Sequence, residues 1–339
     1  MKYKSDICRN IFRGYDIRGI YPSEIDEDTA YTIGLGFGSH IKSIGKTNCV
    51  VGHDNRLSSP VLYNALIKGI TETGIDVISI GLCTTPMYYY ACIKLKVFSG
   101  VMVTASHNPK DDNGFKFAFD ESGNCKGQEI QDFLEFILKG EFATGEGHIS
   151  TYNITNDYID LFVNNIHMGD RKIKAVIDPG NGTTSVIVKK IYDKFPVDLI
   201  YINDESDGHF PNHHPDPCVE ANLEQLKKKV IETGADVGIG FDGDGDRLGV
   251  VSGDATFIPT DIYMTLIVRD IINKVDKKEF LCDVKCSKTF SDEVEKLGGK
   301  CITYRTGNSY TKAAVRDLDL PFGGELSGHV FFRDRWPGF

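Results

Sequence analysis

The sequence predicts an α/β protein built from consecutive related domains with mixed sheets, and three observations predict it. Short Val/Ile-rich runs alternate with helical patterns along the whole chain, the signature of βαβ units. Each run ends in a Gly- or Asp-rich turn, as in TNCVVGHDNR, IDVISIG, VFSGVMV, KIKAVIDPGNG, ADVGIGFDGDGD, EFLCDVK and GKCITYRTG. The length, 339 residues, suits two or three domains, each able to bury a core without covalent staples.

Composition narrows the function classes. Hydrophobic residues make up 41% and charged residues 25%, as in globular proteins. A net charge of −10 argues against nucleic acid as the main partner, yet leaves room for a small anion held by a few cations in one cleft. The nine cysteines include no CxxC pair, and their closest spacing is Cys282 to Cys286, which fits a reducing compartment better than a disulfide scaffold. MKYKSDICRNIF lacks the apolar stretch of a signal peptide, and no run approaches the roughly 18 apolar residues of a membrane helix. The expectation is a cytoplasmic chain, monomeric or weakly oligomeric, that meets no membrane.

Domain boundaries are expected in GEFATGEGHIS and VVSGDATFIPTD, giving domains 1–150, 151–255 and 256–339. ETGIDVISIG from Glu72 and ETGADVGIG from Glu232 share a helix end, a glycine stop and a strand. This faint repeat is consistent with a duplicated unit.

The chemistry concentrates at strand ends, where α/β sheets place ligands. In GFDGDGDR, Asp242, Asp244 and Asp246 alternate with glycines directly after a strand. Alternate residues of an extended chain share a face, so three carboxylates converge there, an arrangement that is costly without a cation. Oxygen-only ligands of this kind suit Mg²⁺ completed by phosphate oxygens. A calcium-binding EF-hand loop is excluded, because Arg247 stands where it needs Gly and Gly253 where it needs Glu. A haloacid-dehalogenase-like phosphatase, with Asp242 as nucleophile, stays as an alternative.

The second stretch is VTASHNPKDDNGFK, where an apolar strand delivers Ser106 into a loop ringed by hydrogen-bonding groups. The serine reads as exposed. A hydroxyl is a weak nucleophile unless activated, and adjacent Ser106 and His107 on an extended chain point apart, so His107 reads as a hydrogen-bonding or packing residue rather than a base. A serine that carries a phosphoryl group would give the three aspartates the oxygen ligand they lack. PNHHPDP offers no established zinc spacing, and its histidines, like His53, read as loop residues.

TASHNP with NGFK, then DPGNG, PNHHPDP, FDGDGDR, DVKCS and GGELSGH, in that order, closely resemble the α-D-phosphohexomutases, nearest the bacterial phosphomannomutase/phosphoglucomutase branch. FRGYDIRG and VGHDNRLSSP extend the resemblance to the N-terminal end. It implies a phosphotransferase isomerase that interconverts hexose 6-phosphate and hexose 1-phosphate, of mannose or glucose, through a phosphoserine and a hexose 1,6-bisphosphate. Ser106 would be the phosphoserine and, with Asp242, Asp244 and Asp246, a ligand of Mg²⁺. Arg247 would sit against the phosphate. Arg18, Tyr15 and Lys116 would face the reacting end of the sugar, Lys116 being the first candidate for the base. Lys285 and Asn308 would reach the substrate, while Glu325, Ser327 and His329 would form the sugar-reading loop.

Two departures from the family pattern stand out. TGNS replaces the usual TGHS, so Asn308 hydrogen-bonds where a histidine would carry a proton. The chain stops at RWPGF, where the family continues into the rest of the third domain and a fourth, phosphate-gripping one. That implies a weak or inactive mutase if the chain acts alone, or a non-catalytic relic that binds phosphosugar. Leu326, at a position where amino-sugar mutases usually have Gln, points to mannose and glucose phosphates.

Overall fold

The computed structural model describes residues 1–333; RWPGF, where the third domain is expected to stop short, lies outside the described residues. The chain divides into two compact units. The first comprises Met1–Tyr158 with Asp207–His209. Its strands are β1 (Ile17–Ile20), β2 (Asn48–His53), β3 (Asp76–Leu82), β4 (Gly100–Val103), β5 (Asp112–Ala118) and β6 (Ile149–Thr151). They form one mixed sheet in the order β1-β5-β4-β2-β3-β6, with β5 antiparallel to both of its neighbours and the other pairs parallel.

Helices α1 (Glu27–Ser43), α2 (Ser59–Thr71), α3 (Thr85–Leu95) and α4 (Gln128–Lys139) complete this unit. Local chemistry sets their starts. Asp26 Oδ1 accepts the Thr29 N–H at 2.8 Å, and Thr84 Oγ1 accepts that of Met87 at 3.2 Å, each satisfying an orphan donor of a first turn. Ile33, Phe37 and Ile41 of α1 join Leu62, Leu66 and Ile70 of α2 in the core. The two helices meet backbone to backbone: a Cβ on Gly69 would lie 2.2 Å from the Tyr31 carbonyl oxygen, and one on Gly34 2.3 Å from that of Leu66. Gly69→Ala is therefore expected to cost about 1–3 kcal/mol by forcing the helices apart, measured by denaturant unfolding.

The chain passes into the second unit within α5 (Thr155–Asn165). This unit holds two sheets. One contains β7 (Ile173–Asp178), β8 (Val197–Tyr201), β9 (Val237–Phe241), β10 (Leu248–Ser252) and β11 (Phe257–Ile258), in the order β11-β10-β9-β7-β8. The other contains β12 (Glu279–Asp283), β13 (Lys300–Tyr304), β14 (Phe322–Gly324) and β15 (Val330–Phe332), in the order β13-β12-β14-β15. Its helices are α6 (Val188–Tyr192), α7 (Glu224–Thr233), α8 (Thr260–Ile271), α9 (Lys288–Lys296) and α10 (Asn308–Asp317). Leu248, Val250 and Ile258 of the first of these sheets pack on Met264, Phe280 and Phe322, so the two sheets share a core. Among the described residues no helix is long and apolar enough to cross a membrane.

All three sheets repeat one arrangement. A first strand pairs in parallel with a second strand on one side and with a third on the other, and the third turns back into an antiparallel hairpin. The sets are β2, β3, β4, β5; β7, β8, β9, β10; and β12, β13, β14, β15. The duplication hinted at by the sequence is present, but the two ETG joints do not mark it. One leads into β3, a second strand, and the other into β9, a third strand. Both spell a helix stop followed by a strand, with Gly74 and Gly234 at positive φ, and that local need recurs wherever a helix meets a sheet.

Candidate active site

In the first unit β4 ends at Val103 and delivers Ser106 into its loop. The serine is buried rather than exposed, because the loop folds back instead of projecting. Its φ is +53°, a left-handed conformation that a serine adopts only when its surroundings impose it. Arg56, fully buried, imposes it: its guanidinium donates to the carbonyls of Ser106 (2.7 Å), Asn108 (2.7 Å), Pro109 (2.5 Å) and Asp112 (3.0 Å). The Ser106 N–H donates to Thr104 Oγ1 at 2.9 Å.

This geometry corrects one step of the sequence reading. The chain is not extended at Ser106, so the neighbouring side chains do not point apart, and His107 Nδ1 lies 3.4 Å from Ser106 Oγ. Arg18, on β1, reaches the same loop. Its Nε donates to Asp16 at 2.7 Å, and its Nη1 donates to the Ala105 carbonyl at 3.0 Å and to Asn108 Oδ1 at 2.8 Å. Lys116, also buried, stands on β5 opposite Met102. Tyr15 is exposed in the turn before β1. Ser106, Arg18 and Lys116 are thus served by three adjacent strands. Sequence reasoning gave no role to Arg56, Asp16 or Asn108, although each lies in a quoted motif.

In the second unit β9 delivers Asp242, Asp244 and Asp246, all buried, with one carboxylate oxygen from each lying within 4.8 Å of the others. The loop is closed on itself: Asp242 Oδ1 accepts the N–H groups of Asp246 (2.9 Å) and Arg247 (3.0 Å). Oxygen ligands converging this closely out of water fit a hard divalent cation and fit poorly without one. Arg247 Nε lies 3.9 Å from Asp242 Oδ2, and Asp242 and Asp246 hold the guanidinium charged in spite of its burial.

The loop after β14 joins this cluster. His329 Nε2 is 3.2 Å from Asp246 Oδ1, and its Nδ1 is 2.9 Å from Ser327 Oγ and 3.2 Å from Glu325 Oε2. Burial lowers the His329 pKa and the Arg247 charge adds to that, but the Asp246 charge and the hydrogen bonds to Asp246 and Glu325 together turn the net shift upward. Burial raises that of Glu325, yet its bonds with His329, Thr311 and the Gly307 N–H bring it below the usual glutamate value. Glu325 was expected to offer acceptors to sugar hydroxyls. In this structure its oxygens already meet protein donors: Gly307 N–H (2.7 Å), Thr311 Oγ1 (2.6 Å) and Ser327 Oγ (3.2 Å), besides His329. Gly328 has φ +89°, and a Cβ there would lie 3.2 Å from Arg247 Cβ, so only glycine lets the two loops touch.

Lys285 is exposed in the loop after β12, and Asn308 is the buried first residue of α10. Among the described residues neither Oδ1 nor Nδ2 of Asn308 meets a hydrogen-bonding partner. His213 is a satisfied loop histidine, its Nε2 3.0 Å from Asp178 Oδ2 and its Nδ1 3.0 Å from the His214 carbonyl.

Comparison with known proteins assigns the whole arrangement. Phosphoglucomutase/phosphomannomutase alpha/beta/alpha domain I matches residues 9–144, domain II residues 156–255 and domain III residues 259–338. The chain belongs to the phosphoglucomutase/phosphomannomutase family. Among its relatives is the phosphomannomutase/phosphoglucomutase of Pseudomonas putida, 38% identical over 330 residues, which cover 97% of this chain and 71% of the relative. The phosphoglucomutase of Neisseria gonorrhoeae is 37% identical over 337 residues, 99% of this chain and 73% of the relative. A crystal structure of a phosphoglucomutase/phosphomannomutase family protein from Burkholderia thailandensis superimposes with a TM-score of 0.94 at 37% identity, over 98% of this chain and 74% of that one. Family membership leaves no place for the dehalogenase-like alternative.

Proposed function

We propose that the chain is a hexose-phosphate mutase that interconverts the 6- and 1-phosphates of mannose or glucose through a phosphoserine at Ser106. The observation that carries this reading is the shared position of three loops. Ser106, the Asp242–Asp246 cluster and the Glu325–His329 loop each follow the third strand of their sheet, so one architectural position supplies phosphoryl carrier, metal ligands and sugar contacts.

Asp242, Asp244 and Asp246 would hold Mg²⁺, and on this reading a phosphoryl oxygen carried by Ser106 would be a further ligand. When bound, the ion would supply Lewis-acid stabilisation of the charge on the transferring phosphoryl group. The residues of the chain do the rest. In the first half-reaction the Ser106 Oγ–P bond breaks and a bond forms from phosphorus to the free hydroxyl of the sugar phosphate. Lys116, as the neutral amine, takes the hydroxyl proton and becomes the ammonium, while His107, as the imidazolium 3.4 Å from Oγ, gives the departing serine oxygen its proton. Arg18 and Arg247 bring positive charge to the phosphoryl oxygens. Tyr15 and Lys285 contact the sugar phosphate. Asn308 lends its amide to a hydroxyl, as a buried amide without a partner among the described residues invites. The bisphosphate then reorients and returns its other phosphoryl group to Ser106.

Steady-state conversion of mannose 1-phosphate and glucose 1-phosphate, with Mg²⁺ and a trace of glucose 1,6-bisphosphate, tests the proposal. Turnover of either sugar that stops on chelation is expected. Phosphosugar binding without turnover would support the non-catalytic reading instead.

A further inference from the structure

The threefold repeat carries one more feature. Each first strand ends in a buried aspartate beside the loop that follows the third strand: Asp54 directly after β2, Asp178 at the end of β7 and Asp283 at the end of β12. None of them lies among the proposed metal ligands or sugar contacts. We infer that Asp54, Asp178 and Asp283 are positioning residues, one for each loop, which fix the phosphoserine, metal and sugar loops respectively. The metal and sugar assignments rest on the mutase reading.

The connections differ in detail and agree in result. Asp54 Oδ1 accepts the Arg56 N–H at 3.1 Å, and its Oδ2 is 3.2 Å from Arg56 Nε. That orients the guanidinium that holds four carbonyls of the Ser106 loop. Asp178 Oδ1 accepts from Gly180 N–H (2.9 Å) and Asn203 Nδ2 (3.1 Å), while Oδ2 faces His213 Nε2. This shapes the 179–183 turn, from which the Thr183 N–H donates to the Gly243 carbonyl in the middle of the metal loop at 2.8 Å. A Cβ on Gly182 would lie 2.9 Å from that same carbonyl oxygen, so turn and metal loop are packed tightly. Asp283 acts directly: Oδ1 accepts from the Leu326 N–H (3.3 Å) and Cys286 Sγ (3.2 Å), and Oδ2 from Thr306 Oγ1 (2.7 Å). The next residue after Thr306, Gly307, in turn binds Glu325.

Asp178 and Asp283 turn both carboxylate oxygens to hydrogen-bond donors, and Asp54 turns Oδ1 to the Arg56 N–H and Oδ2 to the Arg56 guanidinium charge. An asparagine has the same shape but presents an NH₂ where one acceptor was, setting donor against donor without opening a cavity. The substitutions Asp54→Asn, Asp178→Asn and Asp283→Asn therefore separate positioning from bulk packing. The readouts are the Kd for Mg²⁺ by calorimetry, KM and kcat for glucose 1-phosphate at saturating Mg²⁺, and the phosphoryl content of Ser106 by intact mass after exposure to glucose 1,6-bisphosphate. Asp178→Asn should raise the Mg²⁺ Kd about 10–100-fold, the range for residues that orient metal ligands, with KM moving little. Asp283→Asn should raise KM by a similar factor while kcat and the Mg²⁺ Kd hold. Asp54→Asn should reduce Ser106 phosphorylation and kcat together and leave the other two readouts in place. If a variant fails to fold by circular dichroism, Arg56→Lys, His213→Gln or Thr306→Val removes one partner of its aspartate and must show the same selective pattern. Three variants that shift all readouts together, or a variant that leaves its own readout unmoved, would overturn the inference. A wild-type chain that turns over neither glucose 1-phosphate nor mannose 1-phosphate would sink the mutase reading alone, because the calorimetric arm on Asp178→Asn still decides whether that residue positions the metal loop.

Discussion

Ser106→Ala is expected to leave the fold intact, to abolish phosphoryl incorporation from glucose 1,6-bisphosphate and to lower mutase kcat by a factor on the order of 10³ or more. The fold should hold because Oγ is not what shapes the loop. Arg56 grips the carbonyls of Ser106, Asn108, Pro109 and Asp112, and these survive the substitution. Alanine at φ +53° meets the same left-handed strain that serine already bears. Lost with the oxygen is the atom that, on the proposed scheme, carries the phosphoryl group between the two half-reactions. Phosphoryl incorporation by intact mass, thermal unfolding and steady-state turnover on one preparation make the comparison. Undiminished incorporation in the alanine variant would remove Ser106 from the scheme. A collapsed unfolding midpoint would show instead that the hydroxyl is structural.

Much of this site was legible in the sequence because its chemistry is written in residue types. Three aspartates spaced by glycines after an apolar run can be read as a metal loop without coordinates, and the loop after β9 has that form. The α/β class followed from strand-length Val/Ile runs, since buried parallel strands leave a composition signal. What could not be read depends on contacts between residues distant in sequence. Arg56 acts on carbonyls some fifty positions away, and only the parallel pairing of β2 with β4 brings the two segments together. The burial of Ser106 was misjudged because a polar loop reads as solvent-facing whether or not it folds back. The same blindness hid the spending of Glu325 within its own domain, on Gly307 and Thr311. The ETG repeat misled in register because helix stops are locally encoded, whereas the order of strands in a sheet is not.

Asp244→Asn is expected to weaken Mg²⁺ binding by at least about 10²-fold and yet to stabilise the metal-free protein. Asp244 is the informative member of the trio. Asp242 also closes the loop through two N–H groups, and Asp246 holds His329, so replacing either would disturb the scaffold as well. At an effective dielectric near 20, two carboxylate oxygens within 4.8 Å of each other repel by roughly 3 kcal/mol or more. Removing the middle charge relieves two such pairs in the metal-free protein and forfeits a ligand in the metal-bound one. Linkage converts this into thermal shifts. A concentration one hundred times the wild-type Kd stabilises the wild type by about 2.7 kcal/mol, whereas a variant binding a hundredfold more weakly gains about 0.4 kcal/mol. The wild type thus gains about 2.3 kcal/mol more from the ion than the variant does, so the variant's lead in unfolding midpoint should be widest under chelation and narrow in Mg²⁺. A solvated acidic turn would show neither the variant's lead under chelation nor a saturable rise in the wild type, so the sign of the metal-free difference, read with the response to Mg²⁺, decides whether these carboxylates are held together against their own repulsion for an ion.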